Sequence, residues 1–261
     1  MHVLVCNDDG AFAPGLRALA MAFHQAGHRV TLSAPDRERS CASHALSMTE
    51  PLYVKQCQDW PQGIAAYAVS GTPADACKLG LECLAGDPVD LVVSGINRGA
   101  NSGTDTLYSG TVAAAMEAAL SGVPALAVSL HSDHSLDFSA SARWALWVGE
   151  AMMEGQLPRC PVYNLNVPPL PYDEIKGLRA APLACKRYVG GYERRISPLG
   201  REYYWLNTRL DGQSVGQDTD AALVRQGWAV LTPLGWSLAD QAVLAELPQT
   251  LNRGRNDYGT V

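Results

Sequence analysis

The sequence predicts an α/β chain organised around a doubly wound, mostly parallel sheet, and three observations predict it. Short apolar runs bounded by turn residues recur from residue 2 to residue 167, the pattern of strands buried on both faces. Between them lie segments with apolar residues at i, i+3, i+4 and i+7, the spacing of helices that bury one face. Strict alternation of the two is the mark of helices crossing over a parallel sheet. A length of 261 residues with 47% hydrophobic and 18% charged residues is enough to bury one large core.

The first strand is His2-Val3-Leu4-Val5-Cys6, which runs into Asn7-Asp8-Asp9-Gly10. Leu16, Leu19, Ala20 and Phe23 follow Pro14-Gly15 at helical spacing, and Gly27 stops that helix. Arg29 to Ala34 is the second strand, and a strand near Ala65 to Val69 leads to a helix from Pro73 to about Leu84. Strand Val89 to Ser94, helix Thr111 to Leu120, strand Ala125 to Leu130, helix Ser139 to Met153 and strand Val162 to Val167 continue the series. After Pro168-Pro169-Leu170-Pro171 the character changes, because Tyr188, Tyr192, Tyr203, Tyr204 and Trp205 flank a turn at Ser197-Pro198-Leu199-Gly200. Residues 1–187 therefore form the core, 188–207 an aromatic β-hairpin arm, and 208–261 a return to the core. That return holds a strand at Trp228 to Leu231, a helix at Leu238 to Leu247 and a polar tail from Asn252 to Val261. A lone hairpin is marginally stable, so the arm packs either on its own sheet or on another subunit.

Lys and Arg number 20 against 26 Asp and Glu, a formal charge of −6, so no basic field exists to hold a nucleic-acid polymer. No signal peptide precedes the first strand, and no apolar run approaches the ~18 residues of a membrane span. Cysteines at 6, 41, 57, 77, 83, 160 and 185 form no C-x-x-C pair and read as reduced thiols of a cytoplasmic protein. No G-x-G, Gly-Lys, G-x-S-x-G or H-E-x-x-H occurs, which removes the dinucleotide fingerprint, the Walker A loop, the esterase elbow and the zinc protease motif. The pairs His24 with His28 and His131 with His134 read as structural or solvated, and Asp218-Thr219-Asp220 as a solvated turn.

In an open α/β sheet ligands bind beyond the carboxyl ends of the strands, where four polar clusters fall. Asp8 and Asp9 are adjacent carboxylates; an Asx turn is one reading, and a divalent cation between two repelling charges is the favoured one. Asp36-Arg37-Glu38-Arg39-Ser40 is a charged loop, either solvated or reaching the same crevice. Ser94 to Gly103 is small, amide-rich and glycine-punctuated, a backbone anion nest or a connector. Tyr108-Ser109-Gly110-Thr111 places hydroxyls at a helix N-terminus, suited to a phosphate or to ordinary capping. Together they offer carboxylate, hydroxyl and amide oxygens, a donor set for Mg²⁺ or Mn²⁺ rather than zinc. The chemistry inferred is metal-assisted hydrolysis of a phosphate monoester.

Asn7-Asp8-Asp9-Gly10, Ala34-Pro35-Asp36-Arg37 with Arg39-Ser40, Gly71-Thr72-Pro73-Ala74-Asp75, Ser94-Gly95-Ile96-Asn97 and Tyr108 to Ala115 resemble the SurE survival-protein nucleotidases in order and spacing. The likeness is close over about residues 1–135 and looser beyond. It implies a Rossmann-like core, a homodimer or homotetramer joined through the C-terminal arm, and divalent-metal-dependent hydrolysis of nucleoside 5′-monophosphates, with 3′-monophosphates a further substrate class. By the same likeness one Mg²⁺ or Mn²⁺ per subunit is held by Asp8, Asp9, Ser40 and Asn97, with Asp8, Asp9 and Asn97 catalytic. Asn101, Ser109, Gly110 and Thr111 hold the phosphate, and Gly71 and Thr72 lie near the nucleoside.

The chain departs from the family near its end, where Ser237, Ala239 and Gln241 replace an Asp, a Thr and a His, with Asp240 as a shifted substitute. Two rivals follow: a nucleotide-binding regulatory module without turnover, and a broad phosphatase or exopolyphosphatase on the same fold.

Overall fold

A computed structural model describes residues 1–132, 134–212 and 215–247. Its strands are β1 (His2–Cys6), β2 (Arg29–Pro35), β3 (Val54–Gln56), β4 (Ile64–Val69), β5 (Leu91–Arg98), β6 (Ala125–Leu130), β7 (Val162–Val167), β8 (Leu178–Ala180), β9 (Tyr188–Ile196), β10 (Glu202–Leu210) and β11 (Ala229–Leu234). The helices are α1 (Pro14–Gln25), α2 (Pro73–Leu79), α3 (Gly110–Leu120), α4 (Ser139–Met153), α5 (Asp220–Arg225) and α6 (Gln241–Glu246).

Nine strands form one sheet in the order β3-β4-β2-β1-β5-β6-β7-β11-β8. The six central strands, β4 to β7 in that order, are all parallel. Their side chains alternate between two helix layers. Val3 and Val5 of β1 face the layer that holds Leu16, Leu19 and Phe23 of α1 and Trp144, Ala145 and Val148 of α4. Leu4 and Cys6 face the layer of Cys77 from α2 and Val112, Ala114, Ala115 and Ala118 from α3. Small residues let the layers approach closely: a Cβ on Gly149 would sit 3.0 Å from Phe23 Cζ. Cutting fully buried Phe23 to Ala costs about 3–5 kcal/mol.

The edges depart from the alternation. β3 pairs antiparallel with β4, and β11 pairs antiparallel with β7 while running parallel to β8. Both β3 and β8 are three residues long, below what periodicity registers. The helix expected over 73–84 is α2 followed by one π-helical turn, Gly80–Leu84. A Cβ at Gly80 would lie 2.9 Å from Ser33 Cβ, so only glycine lets the helix pass this close to β2. The strand expected at 89–94 starts at Leu91 and continues to Arg98, with its register shifting between Ser94 and Asn97. The last helix is shorter than 238–247, because Asp240 caps it by accepting from the N–H groups of Ala242 and Val243.

The hairpin β9–β10 forms a separate two-stranded sheet, running from Tyr188 opposite Leu210 at its base to Ile196 opposite Glu202 at its turn, and exposed along almost its whole length. Its second strand thus ends three residues beyond the expected boundary at 207. Asp220, read from sequence as part of a solvated turn, is fully buried. Its carboxylate accepts from Gly103 N–H at 2.7 Å and Ala184 N–H at 2.9 Å, clamping the segment after β5 to the root of the hairpin. All seven cysteines are free thiols. Among the described residues no helix is long and apolar enough to cross a membrane. The tail Asn252 to Val261 lies outside the described residues.

Candidate active site

β1 has β2 on one side and β5 on the other, and the chain travels outward in opposite directions from this pair. The loops leaving their carboxyl ends therefore diverge and open a crevice. Asn7 closes the first loop: its Nδ2 donates to Gly10 O and its Oδ1 accepts from Gly10 N–H, both at 3.1 Å. Gly10 has φ +103°, and a Cβ there would stand 3.1 Å from the Arg37 carbonyl carbon, so glycine is required. The Asx turn is therefore made by Asn7, which leaves the carboxylates of Asp8 and Asp9 to serve the crevice.

Asp8 is buried and accepts a short hydrogen bond from the Thr111 hydroxyl. Burial raises its pKa, against the Thr111 hydroxyl and the backbone N–H groups of Asp8, Thr111 and Gly110. Asp9 is half-buried, and its Oδ2 accepts from Arg98 N–H at 3.4 Å. Its carboxyl is pushed up to about 6, first by burial and then by the charge of Asp8, with Glu38 adding and Arg98 opposing. Two adjacent carboxylates both held toward neutrality form a site short of positive charge.

The loop after β2 reaches this crevice. Arg39 N–H donates to Asp8 O at 2.8 Å, and the Ser40 hydroxyl donates to Glu38 Oε1 at 2.6 Å. Farther along, Ser43 N–H donates to Tyr108 O, His44 pairs with buried Glu117 of α3 at 2.9 Å, and Ser47 donates twice to Asp75. The side chains of residues 36–40 are mostly exposed, while the chain around and beyond them is pinned through Arg39, Ser43, His44 and Ser47.

Asn97 stands on β5 after the register shift, its Nδ2 on Gly99 O at 2.8 Å. Asn101 is buried in an amide network: its Nδ2 donates to Ser129 Oγ, its N–H donates to Asn166 Oδ1, and its carbonyl accepts from Asn164 and Asn166. Ser109 caps α3 by accepting from Val112 N–H at 3.0 Å. Gly110 lies against the first carboxylate, since a Cβ there would be 2.7 Å from Asp8 Cβ.

A cleft of about 660 Å³ gathers Asp8, Asp9, Ser40, Asn97, Asn101 and Ser109. Gly110 and Thr111 stand just behind it and contact Asp8. Gly71 and Thr72 are outside the lining. They build the start of α2, where Thr72 and Asp75 exchange hydrogen bonds in a capping box and the Thr72 hydroxyl donates to Ala45 O at 2.7 Å. A capping box is legible as Thr-x-x-Asp, and it occupies the Thr72 hydroxyl and N–H. Ser237 and Gln241 bond to each other at 3.4 Å, and Asp240 is spent as the α6 cap; none lines the cleft. The preceding Trp236 lies instead in a separate groove with Met152 and Tyr163.

Sequence reasoning missed the far side of the cleft. Asp105, Tyr188, Leu206 and Thr208 line it together with Tyr108. Lys186 Nζ meets Asp105 Oδ2 at 2.6 Å, and the Tyr188 hydroxyl donates to Asp105 Oδ1 at 2.8 Å. Burial, helped by Asp105, pushes the Tyr188 hydroxyl up to about 12, so it remains a donor at neutral pH. The only sequence signal was aromatic enrichment of the hairpin, which does not say which ring turns inward.

The family model for survival protein SurE matches residues 3–190. A protein named 5′-nucleotidase SurE from Gloeobacter violaceus is 45% identical over 239 residues, covering 91% of each chain. A protein of the same name from Synechococcus sp. is 44% identical over 249 residues, 95% of this chain and 96% of the relative. The crystal structure of the SurE protein from Aquifex aeolicus superposes with a TM-score of 0.80 at 33% identity, over 95% of this chain and 98% of that one. On the family model and these relatives, this chain belongs to the SurE survival-protein family.

Proposed function

We propose that this chain is a nucleotidase, a phosphohydrolase that removes phosphate from nucleoside 5′-monophosphates with the help of a divalent cation. One observation carries the reading. Two adjacent carboxylates, Asp8 and Asp9, line one cleft with Ser40, Asn97, Asn101 and Ser109, so a small space is rich in oxygen donors and short of positive charge. A phosphate cannot sit beside Asp8 and Asp9 unless a cation lies between them. The homologues named 5′-nucleotidase SurE support the same activity.

The donor set fits a hard cation. Asp8, Asp9, Ser40 and Asn97 present only oxygen ligands beside one amide, at the mouth of one cleft, and would hold one Mg²⁺ or Mn²⁺. When bound, that ion supplies Lewis acidity toward a phosphoryl oxygen. The remaining work belongs to the chain. Ser109, at the start of α3, orients the phosphate, and buried Asn101 fixes the opposite wall through Ser129, Asn164 and Asn166. Asp9 takes the proton of the attacking water, because Asp8 is engaged by the Thr111 hydroxyl and by backbone N–H groups while Asp9 accepts one long contact from Arg98. A cytoplasmic setting accords with the seven free thiols.

The test is inorganic phosphate release from 5′- and 3′-nucleoside monophosphates, sugar phosphates and polyphosphate, with Mg²⁺, Mn²⁺ or EDTA, beside Asp9→Asn. Metal-dependent release that favours the 5′-nucleotides and collapses in the variant is expected. Release from polyphosphate alone would replace the reading with an exopolyphosphatase, and tight nucleotide binding without release would replace it with a binding module.

A further inference from the structure

Every residue from 36 to 50 is exposed or half-buried, so the loop that carries Ser40 has no apolar core of its own and is held in place by polar contacts. Two of its residues sit in the left-handed region, Cys41 at φ +58° and Ser43 at φ +52°. Residues other than glycine rarely adopt that conformation unless neighbouring contacts impose it. Ser40 directly precedes this constrained stretch, four positions before His44.

The contact that secures the stretch comes from α3. Glu117 lies about two turns along that helix from Ser109, and its side chain is only 6% exposed. Its Oε2 accepts from His44 Nε2 at 2.9 Å, and its Oε1 accepts from Lys78 Nζ at 3.2 Å. A buried carboxylate is costly unless it is paired and hydrogen-bonded. Lys78 of α2 meets it on one side, itself shared with Glu82 at 3.2 Å, and His44 meets it on the other. The remaining contacts nearest to Ser40 are single backbone bonds, from Arg39 N–H to Asp8 O and from Ser43 N–H to Tyr108 O. A bond to a carboxylate is about twice as strong as such neutral ones.

We propose that His44 and Glu117 are positioning residues, whose bond latches the loop after β2 to α3 and so fixes Ser40 relative to Asp8 and Asp9. This rests on the reading of Ser40 as a ligand of the cation in the nucleotidase site. A metal ligand has to be held to within about 0.5 Å of its working position, and an exposed loop without apolar packing does not do this alone. The helix α3 bonds Asp8 through Thr111 at its first turn and bonds the Ser40 loop through Glu117 farther along. One rigid element thereby ties both sides of the cation site together.

The experiment uses His44→Phe, which keeps a ring and removes the donor, His44→Gln, which restores an N–H near the position of Nε2, and Ser40→Ala, alone and combined with His44→Phe. Calorimetric titration with Mn²⁺ in the absence of substrate reads the site without turnover. His44→Phe should weaken Mn²⁺ binding about tenfold, the low end of what residues behind a metal ligand contribute, and His44→Gln should recover most of it. In the Ser40→Ala background the further loss from His44→Phe should be less than about twofold, because the latch acts through Ser40. Hydrogen exchange at the Arg39 and Ser43 N–H groups should accelerate in His44→Phe and return toward wild type in His44→Gln. Unchanged Mn²⁺ affinity or unchanged exchange in His44→Phe overturns the proposal, and so does a full effect of His44→Phe in the Ser40→Ala background. If wild type binds no Mn²⁺, the cation reading is what fails. The latch is then decided by exchange alone, which supports it if faster in His44→Phe and restored in His44→Gln, and rejects it if unchanged.

Discussion

The hydroxyl of Thr111, in the first turn of α3, donates to Oδ1 of Asp8 at the end of β1, joining two elements 103 residues apart in sequence. This bond holds a buried carboxylate whose charged form burial disfavours. Thr111→Val keeps the shape and removes the donor. Asp8 should then sit about 1–3 kcal/mol worse in its ionised form, and phosphate release should fall at least tenfold with little change in far-UV circular dichroism. Release within twofold of wild type would mean that the bond has no role in the reaction.

Gly110 tests the same contact from the backbone side. Its added Cβ would be 2.7 Å from Asp8 Cβ and 2.8 Å from Pro73 Cγ, and both neighbours are fixed. Gly110→Ala should lose most activity and about 1–3 kcal/mol of stability through overpacking. Ser109→Ala, which removes only the cap, should cost about 1 kcal/mol. Equal melting curves for Gly110→Ala and wild type would refute the close packing.

Asp9 gives a pH dependence with a definite sign. Its carboxyl titrates at about 6 in the fold against an ordinary value of 3.8, so between those pH values the folded chain binds more protons than the unfolded one. The contribution of Asp9 to the stability of the metal-free protein therefore falls as pH rises from about 4 to about 6. Partial exposure reduces the effect to about 2 kcal/mol. Thermal melts in EDTA should show Asp9→Asn gaining on wild type between pH 4.5 and 7; parallel profiles would contradict the shift.

Asp220 clamps Gly103 and Ala184 through their N–H groups. Asp220→Ala leaves two buried donors unpaired and should cost about 2–4 kcal/mol, lowering Tm by about 5–10 °C. Loss of Asn101 ordering two residues away should lower activity in parallel. A Tm within 1 °C of wild type would show the clamp to be dispensable.

The arm exposes Tyr192, Ile196, Leu199, Tyr204 and Trp205, surface that a partner subunit would cover. Replacing Glu193 to Trp205 by Asn-Gly keeps Tyr188 and Leu206 and should reduce the oligomer mass in light scattering. An unchanged mass would remove the arm from assembly.

Much of the fold was legible because it rests on local rules. Val3, Leu4, Val5 and Cys6 are apolar without alternation, which is how a strand reads when helices cover both faces, and both faces are covered. Ser139 to Met153 and Ala125 to Leu130 agree residue for residue with α4 and β6, since long periodic segments leave little choice of state. Three-residue strands such as Val54–Gln56 are formed by pairing with a neighbour and carry no period of their own.

Asp8, Asp9, Asn97 and Ser109 could be proposed from sequence because strand ends and helix starts are where an α/β sheet must present its chemistry. The tasks of Asp220 and Asp105 could not. Each is an ordinary polar residue by type, and its role depends on which N–H group or side chain lies opposite it after folding, over separations of up to 117 residues for the Asp220 clamp. Sequence by itself thus determined the sheet and the oxygen-rich end of the cleft, through periodicity and charge. Only the tertiary structure decided that the arm closes the other end with Tyr188 and Leu206, because a cleft wall is set by long-range packing that no local pattern encodes.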